Sequence, residues 1–263
     1  MDLRLQGKRA FISGSSQGIG FAVAASLASE GAEVVLNGRD AGRLDSAVER
    51  LRAERPGATV SGIEADFADS AAVARLIDDL GDVDILVNNV GLFGLADFAT
   101  IDDEEWSRYL EVNLMSGVRL SRALLDGMLR RGWGRVVFVS SESGVNVPGD
   151  MVHYGVTKAA MIALGNGLAK LTRGTAVTVN TVLGGPTYSE GVAASVEAIA
   201  RTQAMTADEM RDAIIGQNRT TLLERFIDPV EIAHLVAYLA SPVASATNGA
   251  ALRADGGVLT GIL

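Results

Sequence analysis

The strongest constraint on the fold is a regular alternation of short apolar runs with longer segments of helical periodicity. The apolar runs predict seven strands, at residues 10–13, 33–36, 59–64, 84–88, 135–140, 176–182 and 250–253. Between them, the apolar spacing predicts helices at residues 18–29, 40–55, 70–80, 105–131, 152–171 and 229–240, with a break near the middle of the fourth. Because the strands are continuously apolar, both faces of the sheet are expected to be covered. The alternation therefore predicts an α/β protein with a doubly wound parallel sheet.

Composition narrows the class of protein further. The 263 residues contain no linker, repeat or low-complexity segment, so we expect a single domain. The net charge of -9 argues against a nucleic-acid partner. The absence of cysteine and the presence of only His153 and His234 argue against a metal site. No apolar signal-peptide core and no run of about 18 apolar residues occurs, so we expect a cytoplasmic protein with no membrane partner.

A glycine-rich turn follows the first strand and begins the first helix. Glycine lets the backbone approach a diphosphate closely, and the helix N-terminus offers free N–H groups to it. The alternative is an ordinary strand-to-helix turn, but its place in the chain favours a dinucleotide site and a Rossmann-type fold. The residues expected to contact the cofactor here are Gly14, Ser16, Gln17, Gly18, Ile19 and Gly20.

The end of the second strand indicates which dinucleotide binds. An acidic side chain there would hold the ribose 2′-hydroxyl of NAD and repel the 2′-phosphate of NADP. This chain has Arg39 instead, whose guanidinium suits a phosphate, so we predict that NADP(H) is preferred over NAD(H). The alternative is that Arg39 is a surface charge and Asp40 only a helix cap.

Polar residues also follow the third and fourth strands. Asp66, next to Phe67, is placed to accept a hydrogen bond from the adenine amine; the alternative is a loop carboxylate. After the fourth strand, the amide of Asn89 could tie strand ends together beside the cofactor, with Val90 and Gly91 alongside; the alternative is an ordinary turn. All five residues are expected at the cofactor site.

A tyrosine and a lysine begin the helix at 152–171. Tyr154 and Lys158 are four residues apart and share one helix face. Tyr154 also lies thirteen residues after Ser141 in the sequence. A nearby ammonium favours the phenolate, so we expect Lys158 to lower the pKa of Tyr154 and make it a general acid–base group. Taken alone, such a pair is more often a half-buried ring beside a solvated charge.

Together these motifs resemble the short-chain dehydrogenase/reductase family, in its branch of about 250 residues, over essentially the whole chain. The resemblance rests on the glycine-rich turn at residues 14–20, called the glycine loop below, and on several later motifs. These are Asn88-Asn89-Val90-Gly91, Asn113, Ser141, Tyr154, Lys158 and, near the end of the sequence, Asp255-Gly256-Gly257. The resemblance implies a catalytic set of Asn113, Ser141, Tyr154 and Lys158. It also implies that Tyr154 and Lys158 contact the cofactor, as do Gly185, Thr187 and Ser189 near the nicotinamide. One departure is Gly184 where the family has proline, which leaves the backbone there freer to move.

The resemblance implies an NADPH-dependent oxidoreductase that transfers hydride between the nicotinamide and a carbonyl or secondary alcohol, a small-molecule substrate. Asn113 is expected to hold a water in a proton relay from Lys158; the alternative is a helix-kink residue satisfied by backbone. A non-catalytic NADP-binding redox sensor remains an alternative function, and so does isomerisation or dehydration on a related fold. Residues 187–225 are expected to form a substrate lid, because connections this long tend to be functional. The resemblance also implies a homotetramer. Glu142, after the serine, could reject carboxylate substrates or attract cationic ones.

Overall fold

The computed structural model describes residues 2–217 and 220–262. Its centre is one sheet of parallel strands in the order β3-β2-β1-β4-β5-β6-β7. The strands are β1 Arg9–Ile12, β2 Glu33–Gly38, β3 Val60–Glu64, β4 Ile85–Asn88, β5 Trp133–Ser141, β6 Ala176–Gly184 and β7 Ala251–Ala254. The predicted doubly wound parallel sheet and its strand count are confirmed.

Helices cover both faces of the sheet. They are α1 Gly18–Ser29, α2 Ala41–Glu54, α3 Ser70–Leu80, α4 Asp103–Tyr109, α5 Ser116–Arg131, α6 Val152–Leu171, α7 Glu190–Thr202, α8 Ala207–Gln217 and α9 Pro229–Ala240. The break expected in the fourth helix is a π-helical segment, Leu110–Met115, that joins α4 to α5. None of the described helices combines the length and apolar character needed to cross a bilayer.

Two cores, one on each face of the sheet, explain why the strands are apolar throughout. Successive strand residues point to opposite faces, so Ala10 and Ile12 of β1 enter one core while Phe11 between them enters the other. The first core is closed by α1, α2 and α9, and the second by α3, α5 and α6. Both cores are built from fully buried aliphatic and aromatic side chains, which accounts for most of the stabilisation.

The strand order also locates the functional crevice. The chain winds outward from β1 to β3 and then returns to place β4 on the other side of β1. At such a reversal the connections leave in opposite directions and open a crevice beyond the carboxyl ends of the strands. The glycine loop after β1 and the asparagines after β4 therefore meet at one edge.

Gly184 differs from its sequence-based expectation. It is the last residue of β6 and is paired in register with Ser141 on one side and Ala254 on the other. Its backbone is held in the sheet between two neighbouring strands rather than in a free loop. Strand β6 therefore extends two residues beyond its predicted end at residue 182.

Candidate active site

The glycine loop is held open by side chains from the neighbouring strands. The Gly14 N–H donates to Asn37 Oδ1 at 3.0 Å, and Asn89 Nδ2 donates to the Gly14 carbonyl at 2.9 Å. A Cβ on Gly20 would lie 2.4 Å from the Gly14 carbonyl oxygen, so a side chain there would push the loop out of place. The loop and the start of α1 therefore present backbone N–H groups to the crevice, as a diphosphate requires.

Ser13 and Asn37 are structural supports that the sequence analysis missed. The Ser13 hydroxyl accepts from the N–H of Asn89 at 2.9 Å and of Val90 at 3.1 Å. Asn37 Nδ2 donates to the Ile63 carbonyl at 3.1 Å, which joins β2 to β3. Both are buried polar residues at the carboxyl ends of strands, and that position is the signal that could have identified them.

The cleft beyond these strand ends is lined by most of the residues expected to contact the cofactor. They are Gly14, Ser16, Gln17, Gly18, Ile19, Gly20, Arg39, Asp66, Phe67, Asn89, Val90, Gly91 and Ser189. The structure places Gly185 and Thr187 against protein instead. A Cβ on Gly185 would lie 2.5 Å from the Asp255 carbonyl oxygen, and Thr187 pairs with Ile227 while its hydroxyl donates to the Gly185 carbonyl at 2.9 Å.

Two arginines border the end of the cleft next to β2. Arg39 is exposed, and within the described part of the chain no carboxylate forms an ion pair with it. Arg43, which the sequence analysis missed, lines the same cleft. Its backbone N–H donates to Asp40 Oδ1 at 2.8 Å, so Asp40 caps α2, and its guanidinium Nε lies 3.7 Å from the same carboxylate oxygen. The residues present therefore fit a dinucleotide with an anionic group at its adenosine end.

Ser141, Tyr154 and Lys158 come together next to Gly91, which lines the cleft. Ser141 ends β5, and Tyr154 and Lys158 lie one turn apart on α6. The Ser141 side chain lies close enough to the phenol of Tyr154 to lower the pKa of that phenol. Lys158 Nζ lies 5.6 Å from the Tyr154 ring centroid and donates to the Val139 carbonyl at 3.0 Å. A Cβ on Gly91, which lines the dinucleotide cleft, would lie 3.3 Å from the same Nζ.

We predicted that Lys158 lowers the pKa of Tyr154. That prediction was wrong when only the groups of the protein itself act on the phenol. Burial raises the pKa of Tyr154 to about 12, although hydrogen bonding from Ser141 lowers it, and the charge of Glu142 raises it further. Burial also lowers the pKa of Lys158 to about 8. The ammonium is thus disfavoured by its own desolvation and is directed at a carbonyl, so it does not offset the burial of the phenol.

Asn113 lies in the π-helical segment and is fully buried. Its Oδ1 accepts from the Leu92 N–H at 2.6 Å, and its Nδ2 donates to the Leu92 carbonyl at 3.0 Å and to Thr157 Oγ1 at 2.9 Å. This pattern matches the backbone-satisfied alternative and also brings Asn113 into contact with α6. A π-helical turn changes the direction of the side chains that it carries, and such turns are frequent at functional sites.

His153 is a packed residue. It is 2% exposed, and its ring lies 4.1 Å from the ring of Tyr109 and 6.3 Å from that of Trp106, measured between centroids. Its neighbour Tyr154 points in a different direction, because consecutive helical side chains diverge by about 100°.

Comparison with known proteins agrees with this geometry. A family model described as short chain dehydrogenase matches residues 8–200. The uncharacterized oxidoreductase YvaG of Bacillus subtilis (strain 168) is 42% identical over 263 residues, which cover 100% of both chains. The 3-oxoacyl-acyl-carrier-protein reductase FabG of Vibrio cholerae is 33% identical over 256 residues, or 97% of this chain and 99% of FabG.

A solved structure extends the agreement to three dimensions. L-sorbose reductase from Gluconobacter frateurii, complexed with NADPH and L-sorbose, superimposes with a TM-score of 0.94 at 30% identity and 100% coverage of both chains. These relatives give no support to a non-catalytic redox sensor. The chain belongs to the short chain dehydrogenase family and is an NAD(P)-dependent oxidoreductase acting on CH–OH and C=O groups.

Proposed function

We propose that this enzyme is an NADPH-dependent carbonyl reductase in which Tyr154 is the general acid–base residue. One observation supports the proposal most directly: Tyr154 shares a helix face with Lys158, whose Nζ lies close to Gly91 in the dinucleotide cleft. The proposal assigns the proton donor to Tyr154, the oxygen-stabilising hydroxyl to Ser141 and the cofactor to the cleft. Hydride transfer to a carbonyl needs these three elements.

In this proposal, the glycine loop and the N-terminus of α1 hold the diphosphate, and Lys158 holds the nicotinamide ribose. The bound nicotinamide supplies the hydride. Tyr154 then gives its phenolic proton to the carbonyl oxygen as negative charge develops there. The Ser141 hydroxyl donates a hydrogen bond to the same oxygen and stabilises that charge.

Proton replacement involves Asn113 and Lys158. Their side chains approach the same residue: a Cβ on Gly91 would lie 3.6 Å from Asn113 Oδ1 and 3.3 Å from Lys158 Nζ. Oδ1 already accepts from Leu92 but keeps a second lone pair. We propose that a water between the two side chains returns a proton to Tyr154.

The raised pKa of the phenol bears on the pH dependence of the reaction. With the pKa raised to about 12, Tyr154 is protonated at neutral pH and is available as an acid for carbonyl reduction. Alcohol oxidation starts from the phenolate, which burial disfavours, so we expect its rate to increase as the pH rises.

Three observations support NADPH as the preferred cofactor. Arg39 is exposed at the end of β2 without an ion-pair partner in the described part of the chain, and Arg43 lines the same end of the cleft. The residue that follows β2 is this arginine rather than an acid, and the next residue, Asp40, caps α2. The structurally similar L-sorbose reductase was solved with NADPH.

The assay that tests the proposal measures loss of NADPH absorbance with a panel of ketones and oxoacyl thioesters, and repeats it with NADH. We expect turnover of at least one carbonyl class and a higher kcat/KM with NADPH. Product analysis separates reduction from isomerisation or dehydration. If no member of the panel oxidises NADPH, the reductase proposal fails.

We also propose that residues 187–225 form the substrate lid and that the enzyme is a homotetramer. Two helices, α7 and α8, occupy the lid segment and form a small apolar cluster of their own. The tetramer proposal is supported by exposed apolar side chains on the long helices and on the C-terminal tail, namely Leu110, Val156, Leu171 and Ile262. Sedimentation of a monomer at micromolar concentration would contradict the tetramer.

A further inference from the structure

The segment of residues 92–97 borders the dinucleotide cleft and carries exposed apolar side chains. It directly follows Gly91, and partly buried residues alternate along it with exposed ones. The partly buried residues are Leu92, Gly94 and Ala96, and the exposed ones are Phe93, Leu95 and Asp97. Successive residues of an extended chain point to opposite sides, so Phe93 and Leu95 lie on the same side. They are 51% and 68% exposed.

The partly buried residues fasten this segment to the neighbouring helices. Leu92 exchanges two hydrogen bonds with Asn113, one of 2.6 Å through its N–H and one of 3.0 Å through its carbonyl. A Cβ on Gly94 would lie 3.0 Å from the hydroxyl of Tyr109, so the backbone packs closely on the end of α4. Because these residues face the protein, Phe93 and Leu95 are held facing solvent.

The far end of the segment reaches the beginning of α6. The N–H of Ala96 donates to the carbonyl of Asp150 at 2.8 Å, and Asp150 lies two residues before α6, which carries Tyr154. Val147 is another exposed apolar residue here, and it packs on the first turn of α6, since a Cβ on Gly155 would lie 2.5 Å from Val147 Cγ1. The segment therefore extends from the cofactor cleft to the helix of the proton donor.

Phe93 connects this apolar surface to the cleft. It lines the cleft together with Gly91 and Val112. A Cβ on Gly91 would lie 3.3 Å from Nζ of Lys158, which we assign to the nicotinamide ribose. An extended chain advances by about 3.3 Å per residue, which places Phe93 about 7 Å and Leu95 about 13 Å beyond Gly91. A molecule that reacts beside Lys158 can therefore extend along both side chains.

The chemistry of this surface favours an apolar occupant. Neighbouring apolar side chains that are held open to solvent are typical of a binding surface. An apolar group that covers Phe93 and Leu95 removes their surface and its own from water, which is favourable. A charged or hydroxylated group would instead lose water against two hydrocarbon side chains.

Building on the reductase function above, we propose that Phe93 and Leu95 form a wall that binds the apolar tail of the ketone substrate. The substrate class is ketones with an extended alkyl or aryl group on one side of the carbonyl. The wall determines specificity and takes no part in hydride or proton transfer.

The test follows kcat/KM along the unbranched methyl ketones from butanone to 2-octanone. For the wild-type enzyme we expect kcat/KM to rise by about 2- to 4-fold for each added methylene, as partial or full burial of that group requires. Phe93→Ser and Leu95→Ser should each reduce this factor. The double variant should bring it below about 1.5-fold per methylene, because most of the apolar wall is then removed.

The factor per methylene is a ratio measured on one enzyme sample, so an unfolded fraction of a variant does not change it. Tyr238→Ser is the matched control, because Tyr238 is an exposed aromatic residue on α9, and it should keep the wild-type factor. A factor of about one in wild type, or an unchanged factor in the double variant, overturns the apolar wall. Turnover of butanone in that case leaves the reductase intact.

Two further outcomes would also count against the wall. If the double variant sediments as a smaller particle than wild type, Phe93 and Leu95 belong to a contact between copies of the chain, and the wall is overturned. Absence of turnover with every ketone overturns both the wall and the reductase.

Discussion

Glu190 Oε2 accepts a hydrogen bond of 2.8 Å from the backbone N–H of Gly18, the first residue of α1. Glu190 begins α7, far away in the sequence, and its other oxygen lies 3.8 Å from Arg50 Nη1. A carboxylate from the proposed lid thus caps the helix end that suits a diphosphate. Gln17, the residue at the helix cap position, contributes no side-chain bond of its own.

Replacement of Glu190 by glutamine should tighten NADPH binding. A diphosphate that binds the Gly18 N–H must replace the Glu190 bond and approach its negative charge. Removing that charge should lower the Kd for NADPH by about 2- to 5-fold, in line with charge effects at helix N-termini. Calorimetric titration measures the change, which should shrink in high salt because exposed charges are screened.

Glu197→Gln is the matched control for the Glu190 variant. It removes the same charge from the same helix, where Glu197 is exposed and pairs with Arg201 at 4.0 Å. Equal effects of the two substitutions would show that the general charge of α7, and not the contact with Gly18, governs cofactor affinity.

Reversal of the charge at Arg39 should change cofactor preference. Arg39→Asp removes a phosphate-binding guanidinium and supplies a carboxylate that can hold a ribose hydroxyl. We expect the ratio of kcat/KM for NADPH to that for NADH to fall by about 100-fold or more, since charge-assisted hydrogen bonds contribute about 1.5–3 kcal/mol and repulsion adds to this. Arg75→Asp, an exposed arginine on α3, should leave the ratio unchanged. An unaltered ratio in Arg39→Asp would refute its assignment.

The fold could be predicted from the sequence because its determinants are local and repeated. Apolar strands followed by amphipathic helices allow few arrangements other than a covered parallel sheet. Helix α6 was predicted with its observed bounds, 152–171. The apolar spacing and the residues that begin the helix all lie in one continuous stretch of the sequence, so no distant contact was needed to locate it. The extension of β6 to Gly184 was not predicted, because it comes from pairing with Ser141 and Ala254, which are distant in sequence.

The site could be predicted only in part. Residue types and spacing identified the tyrosine and lysine on α6, but the pKa of Tyr154 depends on burial, which spacing does not reveal. The contact of Asn113 with Leu92 and that of Glu190 with Gly18 connect segments 21 and 172 residues apart. Such contacts follow from the topology and have no local sequence pattern.

Removal of the Lys158 ammonium should stabilise the protein slightly in the absence of added nucleotide. Burial lowers the pKa of Lys158 from 10.5 to about 8, which corresponds to a destabilisation of about 3 kcal/mol below that pH. Lys158→Met removes this cost but loses the charge-assisted hydrogen bond to the Val139 carbonyl, worth about 1.5–3 kcal/mol. We expect a net gain of about 1 kcal/mol in the free energy of unfolding near neutral pH, with loss of activity.

The pH dependence of that gain has a definite sign. Between the folded pKa of about 8 and the unfolded value of 10.5, the unfolded state binds more protons than the folded state. The wild-type protein therefore gains stability as the pH rises through this window, and the advantage of Lys158→Met should shrink. Urea unfolding at several pH values across this window measures the difference in stability between wild type and Lys158→Met. Lys170→Met is the control, because Lys170 is an exposed lysine on the same helix. A constant difference at all pH values would contradict a buried ammonium.

Loss of the Tyr154 hydroxyl should separate catalysis from cofactor binding. Tyr154→Phe keeps the ring on α6 but removes the proton that we assign to the carbonyl oxygen, so kcat for ketone reduction should fall by about 100- to 10,000-fold. The Kd for NADPH should stay within roughly twofold, because the diphosphate and adenosine contacts lie elsewhere in the cleft. Tyr238→Phe on α9 serves as the control and should behave as wild type. Substantial turnover by Tyr154→Phe would mean that another group donates the proton, and a parallel loss of NADPH binding would mean that the phenol positions the cofactor instead.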